Sequence, residues 1–173
     1  MDYERKVLLE QLISFGVIKR ESVELSSGQQ SDFYVDVKEV YGRPHQHIFR
    51  QLIKELHKLL PHDTTCIAGG GYGGLIPASY LGAVSHLNVA LVRERKKSHG
   101  RGKTIEGYIP VPGDRVVVVD DVYTLGNSAY RMRALVEATG ATVTAILVVV
   151  QRQVADINIP VLHLFTPDDF GIK

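Results

Sequence analysis

A run of four valines followed directly by two aspartates, residues 116–121, constrains the fold of this chain more than any other feature. The run is too short to form a helix of its own and too apolar to lie on a surface. It therefore predicts a strand that is buried on both faces. A loop with Thr124, Gly126 and Ser128 follows, and residues 129–139 are compatible with a helix. In an open α/β sheet, ligands bind where strands end and helices begin.

The loop after this strand has the residues of an anion site. The free backbone N–H groups of a helix N-terminus, together with the hydroxyls of Thr124 and Ser128, favour a phosphate group. The carboxylates of Asp120 and Asp121 beside it suit a ligand that carries both a phosphate and vicinal hydroxyls, such as a ribose 5-phosphate. Two alternatives fit the same pattern. The pair binds magnesium or accepts a phosphoryl group, as in response regulators and phosphatases, or an Asp simply caps the next helix.

The composition is that of an ordinary globular protein. The chain has 173 residues, of which 45% are hydrophobic and 23% charged, and this fits a single domain over residues 1–173. It contains no apolar run of about 18 residues and no apolar signal segment near its start, so we expect no membrane span and a cytoplasmic location. The single cysteine, Cys66, lies in an apolar run, which predicts a buried thiol and excludes an intrachain disulfide.

The net charge of +1 does not indicate a nucleic-acid partner. The positive charge is concentrated in residues 93–103, here called the basic segment, which hold six Lys or Arg and one Glu, a local charge of +5. The rest of the chain has 14 basic and 18 acidic residues, or −4. The basic segment lies between a predicted strand and a predicted return strand, where a mobile flap would be placed. An ordinary solvated loop is the alternative.

Strand and helix patterns alternate along most of the chain. Apolar spacing predicts helices over residues 3–16, from Pro44 to near Pro61, over 75–85 and over 127–139. Strands are predicted over residues 23–25, 33–37, 65–68, 89–92, 105–109, 116–119, 145–150 and 161–165. This alternation predicts an α/β fold with a mainly parallel sheet that is covered by helices on both faces.

Residues 69–74, the glycine-rich segment, read Gly-Gly-Gly-Tyr-Gly-Gly between a predicted strand and a predicted helix. Glycine lets the backbone approach a ligand closely and adopt positive φ, so this segment indicates a second anion cradle. A flexible turn is the alternative. The spacing does not match a dinucleotide-binding fingerprint, which also needs an acidic residue on a second strand.

Four segments resemble orotate phosphoribosyltransferases, members of the type I phosphoribosyltransferase family, and they occur in the family's order. Residues 116–128 resemble the motif for 5-phospho-α-D-ribose 1-diphosphate (PRPP), Asp-Asp-Val-x-Thr-Thr-Gly-x-Ser, with a departure at Leu125. The glycine-rich segment is similar by position to the pyrophosphate loop. The basic segment resembles the flexible catalytic loop Arg-Lys-Glu-x-Lys-x-His-Gly, although Glu94 and Arg95 replace its Lys-Glu order. Residues 25–36 resemble the N-terminal hood.

The resemblance covers residues 3–155 and implies the type I phosphoribosyltransferase fold. That fold has a mainly parallel sheet flanked by helices, with a small N-terminal hood and a flexible loop hairpin. The hood would comprise about residues 17–40 plus the C-terminal segment, and the core about residues 44–150. The implied reaction joins orotate to PRPP, giving orotidine 5′-monophosphate and pyrophosphate in pyrimidine synthesis, with Mg²⁺ as cofactor. The resemblance also implies a homodimer in which the flexible loop acts in the neighbouring subunit's site. We expect neither a nucleic-acid nor a membrane partner.

The resemblance also implies roles for individual residues. PRPP binding is implied for Arg93, Lys96, Lys97, His99, Asp120, Asp121, Val122, Tyr123, Thr124, Leu125, Gly126, Asn127 and Ser128. The pyrophosphate loop corresponds to Gly71, Tyr72 and Gly73, and orotate binding is implied for Phe33, Tyr34, Thr124 and Arg152. Catalytic roles fall to Lys97, His99, Asp120 and Asp121. No side chain is assigned as a direct metal ligand.

Arg152 follows a predicted buried strand and matches the arginine that binds the orotate carboxylate in the family it resembles; a guanidinium suits a planar carboxylate in a two-point contact. Taken alone, Arg152 indicates only a surface charge. Three alternatives remain open. A phosphoribosyltransferase for a purine or uracil is disfavoured by Arg152 and the hood. A non-catalytic, RNA-binding nucleotide sensor of the same fold is disfavoured by the charge of −4 outside the basic segment. A paralogue that binds PRPP without turnover is consistent with Glu94 and Leu125.

Overall fold

The computed structural model describes residues 1–24, 28, 30–42, 44–93, 103–154 and 156–172. Helix α1 (Tyr3–Ser14) comes first, and the carboxylate of Asp2 caps it by accepting the Arg5 amide at 2.9 Å. The hood then contributes four short strands: β1 (Ile18–Lys19), β2 (Val23–Glu24), β3 (Gln30–Ser31) and β4 (Tyr34–Val35). β1 pairs with β4 and β2 pairs with β3, both antiparallel.

A 3₁₀ turn (Val37–Val40) leads from the hood into helix α2 (Gln46–Leu59). The elements that follow are β5 (Cys66–Gly70), α3 (Gly71–Ser85), β6 (Asn88–Val92), β7 (Ile105–Gly107), β8 (Arg115–Tyr123), α4 (Asn127–Glu137), β9 (Thr142–Gln151), β10 (Val161–Phe165) and a second 3₁₀ turn (Pro167–Phe170). The predicted alternation of strands and helices is confirmed.

Six strands form the central sheet in the order β10-β9-β8-β5-β6-β7. Neighbours are parallel from β10 to β6, whereas β7 pairs antiparallel with β6. After β5 the chain forms β6, which lies next to β5 on one side. After β8 it forms β9, which lies next to β8 on the opposite side. The strand order therefore reverses between β5 and β8, and in open α/β sheets such a switch point is where ligands bind.

The valine run of β8 is buried on both faces, as predicted. Val117 and Val119 pack in a core that includes residues of α1, α2 and α3, whereas Val116 and Val118 pack on the other face with residues of α4. All four valines are fully buried. Branched side chains suit this position because they pack well on a pleated surface. The two cores fix β8, and with it Asp120 and Asp121, at the centre of the sheet.

The predicted end of β8 and the predicted start of α3 were wrong. β8 ends at Tyr123 rather than Val119, because its pairing with β9 continues to Tyr123 although its described pairing with β5 stops at Val119. The aspartate pair thus lies inside the strand and not after it. Helix α3 begins at Gly71 rather than near residue 75, so the glycine-rich segment is the end of β5 and the first turn of α3. Glycine is a poor helix former, which hid this turn in the sequence.

The strand predicted over residues 33–37 is shorter than expected. Only Tyr34 and Val35 are paired in β4, and the 3₁₀ turn begins at Val37. Val35 and Val37 are buried and Phe33 partly buried, so the alternation marked the inward side chains correctly. The predicted return strand over 105–109 is likewise limited to β7.

Cys66 is a buried free thiol in β5, as predicted. Burial raises its pKa to about 12, which keeps the thiol protonated and unreactive at neutral pH. Among the described residues, no helix has both the length and the apolar character needed to cross a bilayer.

Burial of α1 generates a prediction about stability. Leu12 is fully buried, whereas its neighbour Ile13 is 49% exposed. We expect Leu12→Ala to lower the free energy of unfolding by about 2–5 kcal/mol because it leaves a cavity. The matched change Ile13→Ala is expected to cost roughly 0.5 kcal/mol or less. Denaturant unfolding of both variants measures this, and equal losses would contradict the described packing of α1.

Candidate active site

A cavity of about 510 Å³ opens at the switch point between β5 and β8. The start of α3 and the end of β8 form its floor, and the hood and the end of β9 form its walls. Its lining residues are Glu24, Tyr34, Val35, Lys38, Gly70, Gly71, Tyr72, Gly73, Asp120, Asp121, Val122, Thr124, Ser128 and Arg152. The fold therefore brings the hood, the glycine-rich segment and the aspartate pair to one place.

Neighbouring backbone amides hold the two carboxylates of the aspartate pair. Asp120 Oδ1 accepts the amide of Asp121 at 3.0 Å, and Asp121 Oδ1 accepts the amide of Val122 at 2.9 Å. Asp120 is buried, and burial raises its pKa, which the negative charge of Asp121 raises further. Asp120 therefore binds a proton more readily than a carboxyl group in water does, and a cation or a hydroxyl donor would stabilise its charged form.

Lys38 is a residue of this cavity that the sequence analysis missed. Its Nζ lies 3.3 Å from Asp121 Oδ2 and 3.0 Å from Asp36 Oδ1. Burial lowers the pKa of Lys38, but the charge of Asp121 and hydrogen bonds to Asp36 and Tyr34 outweigh this, so its pKa stands above the ordinary value. Lys38 and Asp121 are 83 residues apart in the chain, and a single lysine in a polar stretch gave no signal of the contact.

Glycine is required at the start of α3 because the end of β8 packs directly against it. A Cβ on Gly73 would lie 2.3 Å from Cγ of Asp121, and one on Gly74 would lie 2.4 Å from the carbonyl oxygen of Val119. Gly71 has a φ of +61°, which also favours glycine. The hydroxyl of Tyr41 donates to the carbonyl oxygen of Gly73 at 2.9 Å. The glycine-rich segment therefore packs closely against the end of β8 and is not a flexible turn.

A smaller recess adjoins the main cavity at the start of α4. It has a volume of about 50 Å³ and is lined by Asp120 and residues 122–129. Gly126, with a φ of +78°, turns the chain into the helix, and a Cβ there would lie 2.5 Å from the hydroxyl oxygen of Tyr123. The unpaired N–H groups at a helix N-terminus and the helix dipole favour an anion in such a recess.

Arg152 is held at the cavity wall by both its backbone and its side chain. Its amide donates to the carbonyl oxygen of Tyr123 at 2.7 Å, and its Nη2 donates to Ser31 Oγ at 2.7 Å. Its Cζ lies 4.1 Å from the ring centroid of Phe33, a cation–π contact. Burial lowers the pKa of Arg152, but a guanidinium remains charged at neutral pH. The hood therefore aims a fixed cation into the cavity.

Most of the predicted site residues meet here. Gly71, Tyr72, Gly73, Asp120, Asp121, Val122, Thr124, Ser128, Tyr34 and Arg152 line the main cavity. Tyr123, Leu125, Gly126 and Asn127 line the small recess.

Two of the predicted binding residues lie elsewhere. Phe33 lines a separate cavity of about 470 Å³, and Arg152 lines both this cavity and the main one. Arg93 lies beyond the end of β6, where its Nε is 2.9 Å from Glu106 Oε1, and it is absent from the described lining of these cavities. Lys96, Lys97 and His99 fall outside the described residues.

The sheet order and the carboxylate pair between the N-termini of α3 and α4 define a type I phosphoribosyltransferase. No protein-family model matches the chain. The orotate phosphoribosyltransferase of Methanopyrus kandleri is 39% identical over 153 residues, which cover 88% of this chain and 81% of that enzyme. The crystal structure of the Aeropyrum pernix orotate phosphoribosyltransferase has a TM-score of 0.81 and 27% identity, covering 94% and 95% of the two chains. The Mycobacterium tuberculosis orotate phosphoribosyltransferase in complex with PRPP has a TM-score of 0.69 and 26% identity, covering 98% and 99%. This chain belongs to the orotate phosphoribosyltransferase family.

The packing of Gly74 against the backbone of β8 generates a second prediction. Alanine is favoured over glycine in a helix by about 1 kcal/mol, but a Cβ at position 74 would lie 2.4 Å from the carbonyl oxygen of Val119, which cannot rotate away as a side chain can. We expect Gly74→Ala to lower the free energy of unfolding by about 1–3 kcal/mol, as overpacking does. Gly42→Ala is the matched control because a Cβ at Gly42 would meet nothing within 4 Å. If thermal unfolding shows the two variants to be equally stable, the close approach of α3 to β8 is wrong.

Proposed function

We propose that this chain transfers the 5-phosphoribosyl group of PRPP to orotate, giving orotidine 5′-monophosphate and pyrophosphate in pyrimidine biosynthesis. The observation that carries the proposal is one cavity, with an adjoining recess, in which the N-termini of α3 and α4 flank a carboxylate pair and a guanidinium held by the hood faces them. PRPP has a matching distribution of groups, with phosphates at both ends and hydroxyls between them. Orotate adds a planar carboxylate, which suits an arginine fork.

The proposed pose of PRPP follows from the charges along the cavity. The recess at the start of α4 takes the 5′-phosphate, using residues 123–128. The first turn of α3, with Gly71, Tyr72 and Gly73, takes the diphosphate. Asp120 and Asp121 lie between these recesses, where the ribose hydroxyls donate to them. A helix N-terminus contributes only about 0.3–1 kcal/mol per anionic charge, so several N–H groups must act together at each end.

Orotate is placed against Arg152, Thr124 and Tyr34. The guanidinium pairs with the orotate carboxylate, while Phe33 supports it from the opposite side through the cation–π contact. This arrangement directs the ring nitrogen of orotate in line with C1 of the ribose, the geometry that displacement needs. Uracil and the purines lack the carboxylate, so they would leave a half-buried guanidinium without its partner.

In the proposed mechanism, the ring nitrogen of orotate bonds to C1 as the C1–O bond breaks and the diphosphate departs with the electron pair. The N–H proton of that ring nitrogen is released to the departing diphosphate, which balances the step. Positive charge develops on the ribose, and the carboxylates of Asp120 and Asp121 stabilise it. Lys97 is assigned as the principal cation for the leaving group, with Arg93, Lys96 and His99 supporting it. Closure of the basic segment excludes water, which would otherwise hydrolyse PRPP.

Mg²⁺ is the proposed cofactor. Among the described residues, no group of three or more His, Cys, Asp or Glu side chains could hold a metal ion. A magnesium ion in this cavity would therefore take its ligands mainly from PRPP oxygens and water, as this hard and strongly hydrated ion prefers. When bound, it neutralises charge on the departing diphosphate.

A homodimer is supported by the exposed face of α3. This helix is apolar around its circumference, and Tyr72, Ile76, Tyr80 and Val84 are exposed along it at four-residue spacing. A helix of this kind is normally covered. Tyr72 also lines the cavity, so a second copy seated on this face would lie beside the cavity mouth. That position suits a basic segment that acts in the neighbouring subunit's site. We place the enzyme in the cytoplasm, where its free thiol Cys66 stays reduced.

The direct test is to follow orotate consumption by ultraviolet absorbance after PRPP is added, with and without Mg²⁺. We expect turnover that needs both PRPP and Mg²⁺, and no product with uracil, adenine or hypoxanthine under the same conditions. Turnover of another base in preference to orotate would assign a different acceptor. PRPP binding without turnover of any base would identify a binding paralogue instead.

The role of Arg152 gives a specific prediction. Arg152→Ala removes a charged hydrogen bond to the orotate carboxylate, which is expected to cost about 1.5–3 kcal/mol in kcat/KM for orotate. The KM for PRPP should change much less. Arg131→Ala, a change at an exposed arginine of α4, serves as the control. An unchanged kcat/KM for orotate in Arg152→Ala would show that the base is read elsewhere.

The loop assignment and the dimer are tested together by complementation. Lys97→Ala and Asp121→Asn are each expected to lower kcat strongly while leaving the protein folded, as a cooperative thermal transition shows. Unfolding and refolding a mixture of the two variants should restore part of the activity, because one site of each hybrid dimer would combine an intact loop with an intact aspartate pair. Hybrid dimers that remain inactive would show that each site is completed within one chain.

A further inference from the structure

We infer that Lys38 is a positioning residue for PRPP, which acts by holding the Asp121 carboxylate in place from the hood. The inference rests on the proposed function and deepens it, because it assigns a role to a residue that the four sequence motifs do not include. Lys38 lines the main cavity, and its side chain is 35% exposed.

Lys38 belongs to a closed ring of contacts that joins the hood to the end of β8 and to the start of α3. Its Nζ lies 3.3 Å from Asp121 Oδ2, and Asp121 packs against Gly73 with no room for a side chain there. The carbonyl oxygen of Gly73 accepts the hydroxyl of Tyr41 at 2.9 Å, and the amide of Tyr41 donates to the carbonyl oxygen of Lys38 at 3.0 Å. The 3₁₀ turn that carries Lys38, together with Tyr41 directly after it, therefore fixes the end of β8 and the start of α3 relative to each other.

The electrostatics of the cavity explain why a cation is needed at this point. Asp121 lies beside the buried Asp120, and the ligand proposed for the cavity carries several negative charges. Without a partner, the Asp121 carboxylate would repel that ligand and turn away from it. Lys38 offsets this charge, and it is itself aimed at Asp121 by Asp36, at 3.0 Å, and by the hydroxyl of Tyr34, at 3.3 Å.

The hood contains a matched control lysine. Lys19 shares Asp36 with Lys38, at 3.7 Å, and pairs with Glu39 at 2.7 Å. It is absent from the described lining of the cavity, and no described contact joins it to Asp121. Lys19→Met therefore removes a hood charge of the same kind without touching the aspartate pair.

The test measures the dissociation constant of PRPP with Mg²⁺ by titration calorimetry, so it does not depend on turnover. We expect Lys38→Met to weaken PRPP binding by about tenfold. The change removes a charged contact, whose contribution is reduced because Lys38 is partly exposed to solvent. Lys38→Arg should restore most of the affinity, and Lys19→Met should stay within about twofold of the unchanged chain. In steady-state assays, KM for PRPP should rise more than kcat falls.

A double-mutant cycle with Asp121→Asn separates positioning from direct contact. If Lys38 acts through Asp121, the loss caused by Lys38→Met should shrink to within about threefold in the Asp121→Asn background. An equal loss in both backgrounds would overturn the inference and indicate that Lys38 touches PRPP itself. Equal losses in Lys38→Met and Lys19→Met would overturn it in favour of a general hood charge.

Failure of the inference and failure of the proposed function give different results. If the unchanged chain binds PRPP and Lys38→Met binds it equally well, the inference alone is wrong. If the unchanged chain does not bind PRPP, the proposed function is wrong and the inference with it. Thermal unfolding without ligand accompanies each variant. The three variants Lys38→Met, Lys38→Arg and Lys19→Met are compared for PRPP affinity and for the fraction of folded protein. If the two quantities fall together across the variants, the result counts against a positioning role.

Discussion

The close packing of Asp121 against Gly73 is the contact on which the rest of the site depends. It is possible because β8 runs past the end of its pairing with β5 while β9 still supports it, so the strand's last residues reach the first turn of α3. The start of α3 and the end of β8 are thereby held at a fixed distance from each other. Both valine faces of β8 are buried in separate cores, which leaves this strand end little freedom to shift.

The hood completes the site from the opposite side. Tyr41 bonds to the start of α3, Lys38 pairs with Asp121, and Ser31 holds the guanidinium of Arg152. These contacts use polar side chains from short strands and turns that have little core of their own. The hood therefore depends on the sheet for its position, while the sheet depends on the hood for the charges that surround the cavity. Binding of an anionic ligand between them would be coupled to their docking.

Particular residues show how far sequence reasoning reached. The valine run was correctly predicted to be a buried strand because such a strand has a strong apolar signal, whereas the aspartate pair was predicted to follow the strand and lies inside it. The first turn of α3 was not predicted as helix. Its glycines allow close packing against β8, but they lower the helix propensity of the segment. Arg93 pairs with Glu106 on the neighbouring strand, and its role in the neighbouring subunit's site stays a prediction. Lys38 carried no signal because its partner is 83 residues away.

The amino-acid sequence by itself determined the α/β class, the buried central strand and the chemical character of each ligand segment. These properties depend on apolar periodicity and residue type, which are local. Only the tertiary structure decided that β8 extends past β5, that Gly73 and Asp121 touch, and that Lys38 faces the aspartate pair. Each of these depends on strand register and on contacts between distant residues, and neither is recorded in the local pattern of a single chain.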